Sequence, residues 1–311
     1  MYAVETTKLT KKFATRLGGK EILAVDELDL TVEKGEIFGF LGPNGAGKTT
    51  TIKMLLGIVF PSYGRANILG ADIGDVKARE KVGYLPEGHH YPGWLTGERT
   101  LDFLGKLSGV EDERRRRRID ETLELVGMEK WRKVKIKKYS RGMTQRLGLA
   151  QAILSDPELV FLDEPTEGID PIGRKAIRDL LLHLKEQGKT IFLNSHILSE
   201  VELVCDRVGI LDKGRLIKIG SVKELTHKGE DYVIEVESCS PEMEQEVRNL
   251  VLSCERKEDQ LRVSVKDPKE INGVIDALRA RGADIRAVVP QKTSLEDLFV
   301  TLISRWTKLN S

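Results

Sequence analysis

The sequence predicts an α/β protein of two domains, the first organised around a glycine-rich phosphate loop and the second a small α+β unit. Three observations carry that expectation. Gly42-Pro43-Asn44-Gly45-Ala46-Gly47-Lys48-Thr49 is an unbroken match to G-x-x-x-x-G-K-[ST], set between the apolar run Ile37-Phe38-Gly39-Phe40-Leu41 and a helical period over residues 50–59. A second apolar run, Leu159-Val160-Phe161-Leu162, ends in the paired carboxylates Asp163-Glu164. Beyond about residue 229 the chain reads as β-α-β-β-α-β, with no catalytic constellation in it. At 311 residues there is ample core for two domains, expected at 1–228 and 229–311.

Composition narrows the partners. With 50 basic against 49 acidic residues, the net charge of +1 gives no overall electrostatic reason to bind nucleic acid or a bilayer. The three cysteines, Cys205, Cys239 and Cys254, show neither an even number nor metal-ligand spacing, which points to a reduced, cytosolic setting. The N-terminus lacks a basic region followed by an apolar run, and no stretch approaches the length of a membrane span. A membrane role therefore requires another chain to supply the membrane part.

Residues 4–36 hold short strand candidates, with alternation in Leu28-Asp29-Leu30-Thr31-Val32 and a turn at Glu33-Lys34-Gly35. Phe13 is either an ordinary strand residue or an exposed ring able to stack on a base. In the phosphate loop, glycine lets successive N–H groups and a helix N-terminus face a polyphosphate. Lys48 is placed to reach the β- and γ-phosphates and the Thr49 hydroxyl to ligate Mg²⁺, so the chain is expected to bind a nucleoside triphosphate.

Val82-Gly83-Tyr84-Leu85 reads as a strand, with Glu87 just past its end and a loop carrying His89, His90, Tyr91 and Trp94. Adjacent histidines without a third ligand are a weak metal signal, whereas Tyr91 and Trp94 in a Pro/Gly loop are expected to anchor a partner. Residues 96–135 look helical, Thr96 being a cap. The run Arg114 to Arg118 is expected as a solvated face paired with Glu111, Asp112 and Glu113, over a buried stripe of Ile119, Leu123 and Val126. Ser140 precedes an amphipathic helix with Met143, Leu147, Ala150 and Leu154 on one side. Asp163 and Glu164, at the end of a buried strand, have a metal as the expected partner, since unpaired burial is costly. Asp170 caps a helix over 171–185, strand Thr190-Ile191-Phe192-Leu193 ends at Asn194-Ser195-His196, and 208–219 forms a hairpin.

The order of these motifs, across about residues 4–225, resembles the nucleotide-binding subunit of an ATP-binding-cassette transporter of the drug, lipid or polysaccharide exporter type. The resemblance implies a P-loop NTPase cassette with an antiparallel β subdomain and a helical subdomain. ATP and Mg²⁺ are the implied cofactors. Gly42, Pro43, Asn44, Gly45, Ala46, Gly47, Lys48, Thr49 and Thr50 would hold the phosphates, and Phe13 would stack on adenine. Thr49, Asp163 and Glu87 would hold the metal; Glu164, His196 and Lys48 would act in hydrolysis. Ser140, Gly142 and Asp170 would meet the nucleotide of a second copy in a head-to-tail homodimer. Three residues depart from the family pattern: Arg141 and Met143, since Ser140-Arg141-Gly142-Met143 stands for Ser-Gly-Gly-Gln, and Glu87, which stands for a glutamine.

The resemblance also implies an integral-membrane permease as partner, with this subunit peripheral on the cytoplasmic face of the membrane. The alternative is a soluble cassette ATPase acting on ribosome or DNA. Those carry two cassettes or a long coiled-coil insertion, and this chain has neither. The C-terminal segment reads as a ferredoxin-like dimerisation unit, ahead of a ligand sensor.

Overall fold

The computed structural model describes residues 1–14, 21–226, 231–237, 239–291 and 294–309, the side chains of 305 and 307–309 excepted. Met1–Ser221, with which the end of the final helix from Arg305 groups, form one compact unit; Val222–Ser304 form a second. The boundary expected at 228/229 lies outside the described residues.

The first unit is built on a six-stranded sheet in the order Arg215–Ser221, Arg207–Asp212, Ile37–Leu41, Thr190–Asn194, Leu159–Asp163, Val82–Leu85. All pairs are parallel except the edge hairpin at Arg207–Asp212 and Arg215–Ser221. Every residue of Ile37–Leu41, Leu159–Asp163 and Thr190–Asn194 is buried, which is why these strands read as continuous apolar runs rather than alternating ones. Phe192 sits among Phe38, Phe40 and Phe161 at ring-centroid distances of 5.6, 5.2 and 5.2 Å, a tilted aromatic row under the strand ends.

A four-stranded antiparallel sheet, order Ile22–Glu33, Tyr2–Phe13, Tyr63–Ile68, Ala71–Asp72, shares this core through Val4, Leu9, Leu28 and Ile68. Helices Gly97–Leu107, Asp112–Leu125 and Arg141–Ile153 make the helical part. The helix expected across 96–135 is thus two helices. The break falls at Gly109, whose φ of +70° favours glycine and ends the first. The helix expected over 50–59 is also shorter, Lys48–Leu55, and is followed by Gly57 at φ +66°.

The arginine run differs from a uniformly solvated face. Arg115 is 3% exposed, donates to Asp102 at 2.8 Å and Asp112 at 2.6 Å, and also donates to the Val110 carbonyl. Arg118 turns inward to the carbonyls of Ile153 and Leu154. Only Arg114, Arg116 and Arg117 stay exposed. The stripe of Ile119, Leu123 and Val126 is buried as expected.

In the second unit the strands Asp231–Glu237, Ser253–Lys257, Gln260–Ser264 and Asp284–Pro290 form an antiparallel sheet. Its spatial order, counting strands along the chain, is 2-3-1-4, the ferredoxin-like arrangement expected from the sequence. Pro241–Leu250 and Ile271–Ala280 supply Val247, Val274 and Leu278 to a core shared with Ile234, Val236, Leu261 and Val263. The last helix, Leu295–Leu309, buries Leu295 and half-buries Leu298, Phe299 and Leu302.

Candidate phosphate-binding site

Strand Ile37–Leu41 delivers the chain into the loop, and the loop delivers it into helix Lys48–Leu55 with Gly47 as its N-cap. Gly47 has φ +104°, and a Cβ there would lie 2.2 Å from the Ala24 carbonyl oxygen, so both conformation and space demand glycine. Gly42 is held as closely, since its Cβ would lie 2.3 Å from the Leu211 carbonyl oxygen. Residues 44–50 of this loop line a cleft of about 610 Å³ together with Ile22, Leu23, Ala24, Glu87, Glu164, Glu167, Asn194 and His196.

Lys48 is 7% exposed, and its Nζ donates to the carbonyls of Gly42 at 2.7 Å and Pro43 at 3.1 Å. Burial pushes the Lys48 ammonium below its usual range, while Glu164, Asp163 and Glu87 pull it back up. Burial also raises Asp163, opposed by the Asn194 amide, the nearby Thr49 hydroxyl and the charges of Lys48 and Lys53. The Tyr84 phenol is pushed up to about 12 by burial and by the neighbouring Asp163 and Glu87.

Asp163 Oδ1 accepts from the Asn194 amide, whereas Asp163 Oδ2 and Asn194 Oδ1 are buried with no hydrogen-bond partner. The buried Asp163 carboxylate and Asn194 amide oxygens, with the half-buried Thr49 hydroxyl near Asp163, are oxygen ligands suited to a hard, hydrated cation. Among the described residues no group of three His, Cys, Asp or Glu could by itself hold a metal, so such an ion would be shared with phosphate oxygens and water.

Glu164 follows at φ +54°, a conformation unusual for a non-glycine residue, with its own N–H donating to the Asn194 carbonyl. Its Oε2 lies 2.7 Å from His196 Nδ1 and 3.3 Å from the His196 backbone nitrogen. Burial raises the Glu164 carboxyl and His196 counteracts it. The Gln145 side chain donates to the Glu164 carbonyl at 3.2 Å, tying the helix after Ser140 to this strand end.

The other expected residues lie elsewhere. Ser140 caps helix Arg141–Ile153 by accepting from the Met143 N–H, and Asp170 caps Pro171–Glu186 by accepting from Gly173; both are exposed. Neither they nor Gly142 line the cleft. Phe13 ends its strand opposite Ile22, 39% exposed with the Lys11 ammonium 5.0 Å above its ring; Ile22 and Leu23, not Phe13, line that end of the cleft.

Glu87 is exposed at the cleft, and the loop after it does not behave as one surface. Trp94 is 73% exposed, but Tyr91 turns inward and donates to Gln151 Oε1 at 2.5 Å. His89 stacks edge-on against Tyr91, with its ring nitrogens 3.2 Å from the carbonyls of Pro86 and Thr144. Thr144, Gly148 and Gln151 share a helix face, and Gly148 leaves the space that the His89 ring occupies. Sequence reading gave Asn194, Gln145 and Glu167 no role in the site, and weighed His89 only as a weak metal signal. Asn194 ends a strand readable in the sequence, but its place beside Asp163 follows from the sheet register alone.

Residues 25–167 match the family described as "ABC transporter", and residues 220–303 match "ATP-binding protein DrrA1-3-like, C-terminal domain". An uncharacterized ABC transporter ATP-binding protein of Synechocystis sp. is 39% identical over 300 residues, covering 96% of this chain and 83% of that protein. The linearmycin resistance ATP-binding protein of Bacillus subtilis is 35% identical, covering 92% of this chain and 95% of its own. Among solved structures, an ATP-binding subunit of an ABC transporter superposes with a TM-score of 0.64 at 28% identity, over 72% of this chain and 91% of that one.

Proposed function

The chain belongs to the ATP-binding proteins of ABC transporters, and from that membership we propose that two copies close on ATP to drive an integral-membrane exporter partner. It is an ATP-binding ATPase subunit. The observation that carries the dimer is the separation of its motifs. Residues 44–50 gather around one cleft, while Ser140 and Gly142, at the start of a helix fit to face phosphate, lie outside the residues that line it. A second copy, facing head to tail, would bring its Ser140, Gly142 and Asp170 to the first copy's nucleotide.

In this reading the loop from Gly42 to Thr50 cradles the phosphates and Phe13 stacks on adenine. Lys48 would exchange the neutral carbonyls of Gly42 and Pro43 for charged phosphate oxygens, which are the stronger acceptors. Thr49, Asp163 and Glu87 would hold Mg²⁺, which neutralises charge developing on the phosphates. Glu164, raised by burial and steered by His196, would orient the attacking water and take its proton. His196 would then face the transferring phosphoryl group.

Residues 1–228 would be the cassette and 229–311 an accessory unit supporting the dimer. No described helix is long and apolar enough to cross a membrane, so attachment to the cytoplasmic face would come through the permease. The relatives' names, a transporter subunit and a resistance protein, favour export over action on ribosome or DNA. Coexpression with an integral-membrane partner, followed by membrane fractionation, tests this. Recovery in the membrane fraction only with the partner is expected; equal recovery without it, or cosedimentation with ribosomes, overturns the exporter reading.

A further inference from the structure

Asp163 and Asn194 are register partners in the parallel strands Leu159–Asp163 and Thr190–Asn194, so their side chains leave the same face of the sheet side by side. Two residues earlier the same register pairs Phe161 with Phe192. On its other flank Asn194 is paired with Phe40 of the phosphate-loop strand. The polar pair therefore caps an aromatic row, and none of those rings offers a conventional hydrogen-bond donor.

The Asn194 amide nitrogen donates to Asp163 Oδ1, which fixes the amide's direction, because its oxygen would be repelled by an ionised carboxylate. Asn194 is 2% exposed, lines the cleft, and keeps an unpartnered Oδ1; Asp163 keeps an unpartnered Oδ2. Two buried acceptors in one corner are stable only if a donor or a cation serves them. A hydrated cation does both, ligated by the carboxylate and donating through its waters.

We propose that Asn194 is a positioning residue for the Mg²⁺ of the nucleotide site, its amide nitrogen aiming Asp163 and its amide oxygen accepting a hydrogen bond from a water bound to the ion. The proposal rests on the reading of the cleft as an ATP–Mg²⁺ site. It makes Asn194 an outer ligand of the kind whose loss typically weakens metal affinity about 10–100-fold. A merely structural pairing with Asp163 would instead alter stability and leave the metal's effect on ATP untouched.

The test measures ATP affinity of the full-length chain by fluorescence titration, once with Mg²⁺ and once in EDTA, for the parent, Asn194→Ala, Asn194→Ser and Asn194→Asp. In the parent, Mg²⁺ should tighten ATP. Asn194→Ala should lose about 10–100-fold of that tightening while its affinity in EDTA stays within about twofold of the parent. Asn194→Ser, with a hydroxyl that both donates and accepts, should recover part of it; Asn194→Asp, which sets a second carboxylate against Asp163, should not. If Asn194→Ala does not fold, the Ser and Asp variants decide. Undiminished tightening in the Ala variant, or equal losses with Mg²⁺ and in EDTA, overturns the role of Asn194. A parent with no Mg²⁺ effect overturns the reading of the cleft itself, and the two failures are thereby distinct.

Discussion

The two units bury different things. In the cassette, Lys48, Asp163, Glu164, Glu36 and Arg115 are all under a tenth exposed, and among the described residues every buried side-chain nitrogen or oxygen without a hydrogen-bond partner belongs to that unit. Among the described residues of the second unit no charged side chain is buried; its core is Ile, Val, Leu and Cys, and its ion pairs, such as Arg281–Glu246 at 2.8 Å, lie at the surface. Glu36 and Arg115 are paired with Arg207 and with Asp102 and Asp112, whereas Lys48, Asp163 and Glu164 gather at the phosphate loop; burying charge costs stability unless something pairs with it, so that group marks where a ligand completes the structure.

The sharpest way to break this contrast is Glu164→Gln. Hydrolysis should fall by roughly two to four orders of magnitude, the contribution of a positioned general base, while ATP still binds and an ATP-dependent dimer accumulates in sedimentation. Activity within tenfold of the parent would remove Glu164 from that role. The same variant separates chemistry from stability. The Glu164 carboxyl is raised in the folded state, so the stability of its neutral form is fully present below the ordinary glutamate range and is lost as pH rises through the raised value. Urea unfolding without nucleotide should therefore show the parent losing stability relative to Glu164→Gln across that rise. A parallel pH dependence in the two would contradict it.

A smaller effect is expected from removing the second unit. A chain ending near residue 228 should still bind ATP and keep nearly the same ATPase rate per dimer, but its dimer should dissociate at about tenfold higher protein concentration than the parent's. Sedimentation over a concentration series, with ATPase measured on the same samples, reads both. Loss of nucleotide binding in a folded product would erase the division between the units.

The smallest expected change is Tyr91→Phe, which removes the hydrogen bond to Gln151 and should lower stability by about 1 kcal/mol in denaturant titration. Partner assembly should be unaffected, whereas Trp94→Ala should weaken it at unchanged basal ATPase. Equal loss of assembly in the two variants would restore Tyr91 to the docking surface.

Contiguous residues determined the parts of this protein whose physics is local. The phosphate loop, the apolar runs of the three buried strands, the caps at Ser140 and Asp170, and the β-α-β-β-α-β order are all set by backbone conformation, period and capping within a few residues. What only the tertiary structure decided depends on which strand lies beside which. Asn194 meets Asp163 across 31 residues, and Tyr91 meets Gln151 across 60, because sheet register and helix docking bring them together. Arg115 looked like a surface charge because its position in the run matches its neighbours; its burial follows from Asp102, on a different helix, standing opposite it. Sequence spacing carries no record of such pairings, since the free energy that selects them is gained only when separate elements pack together.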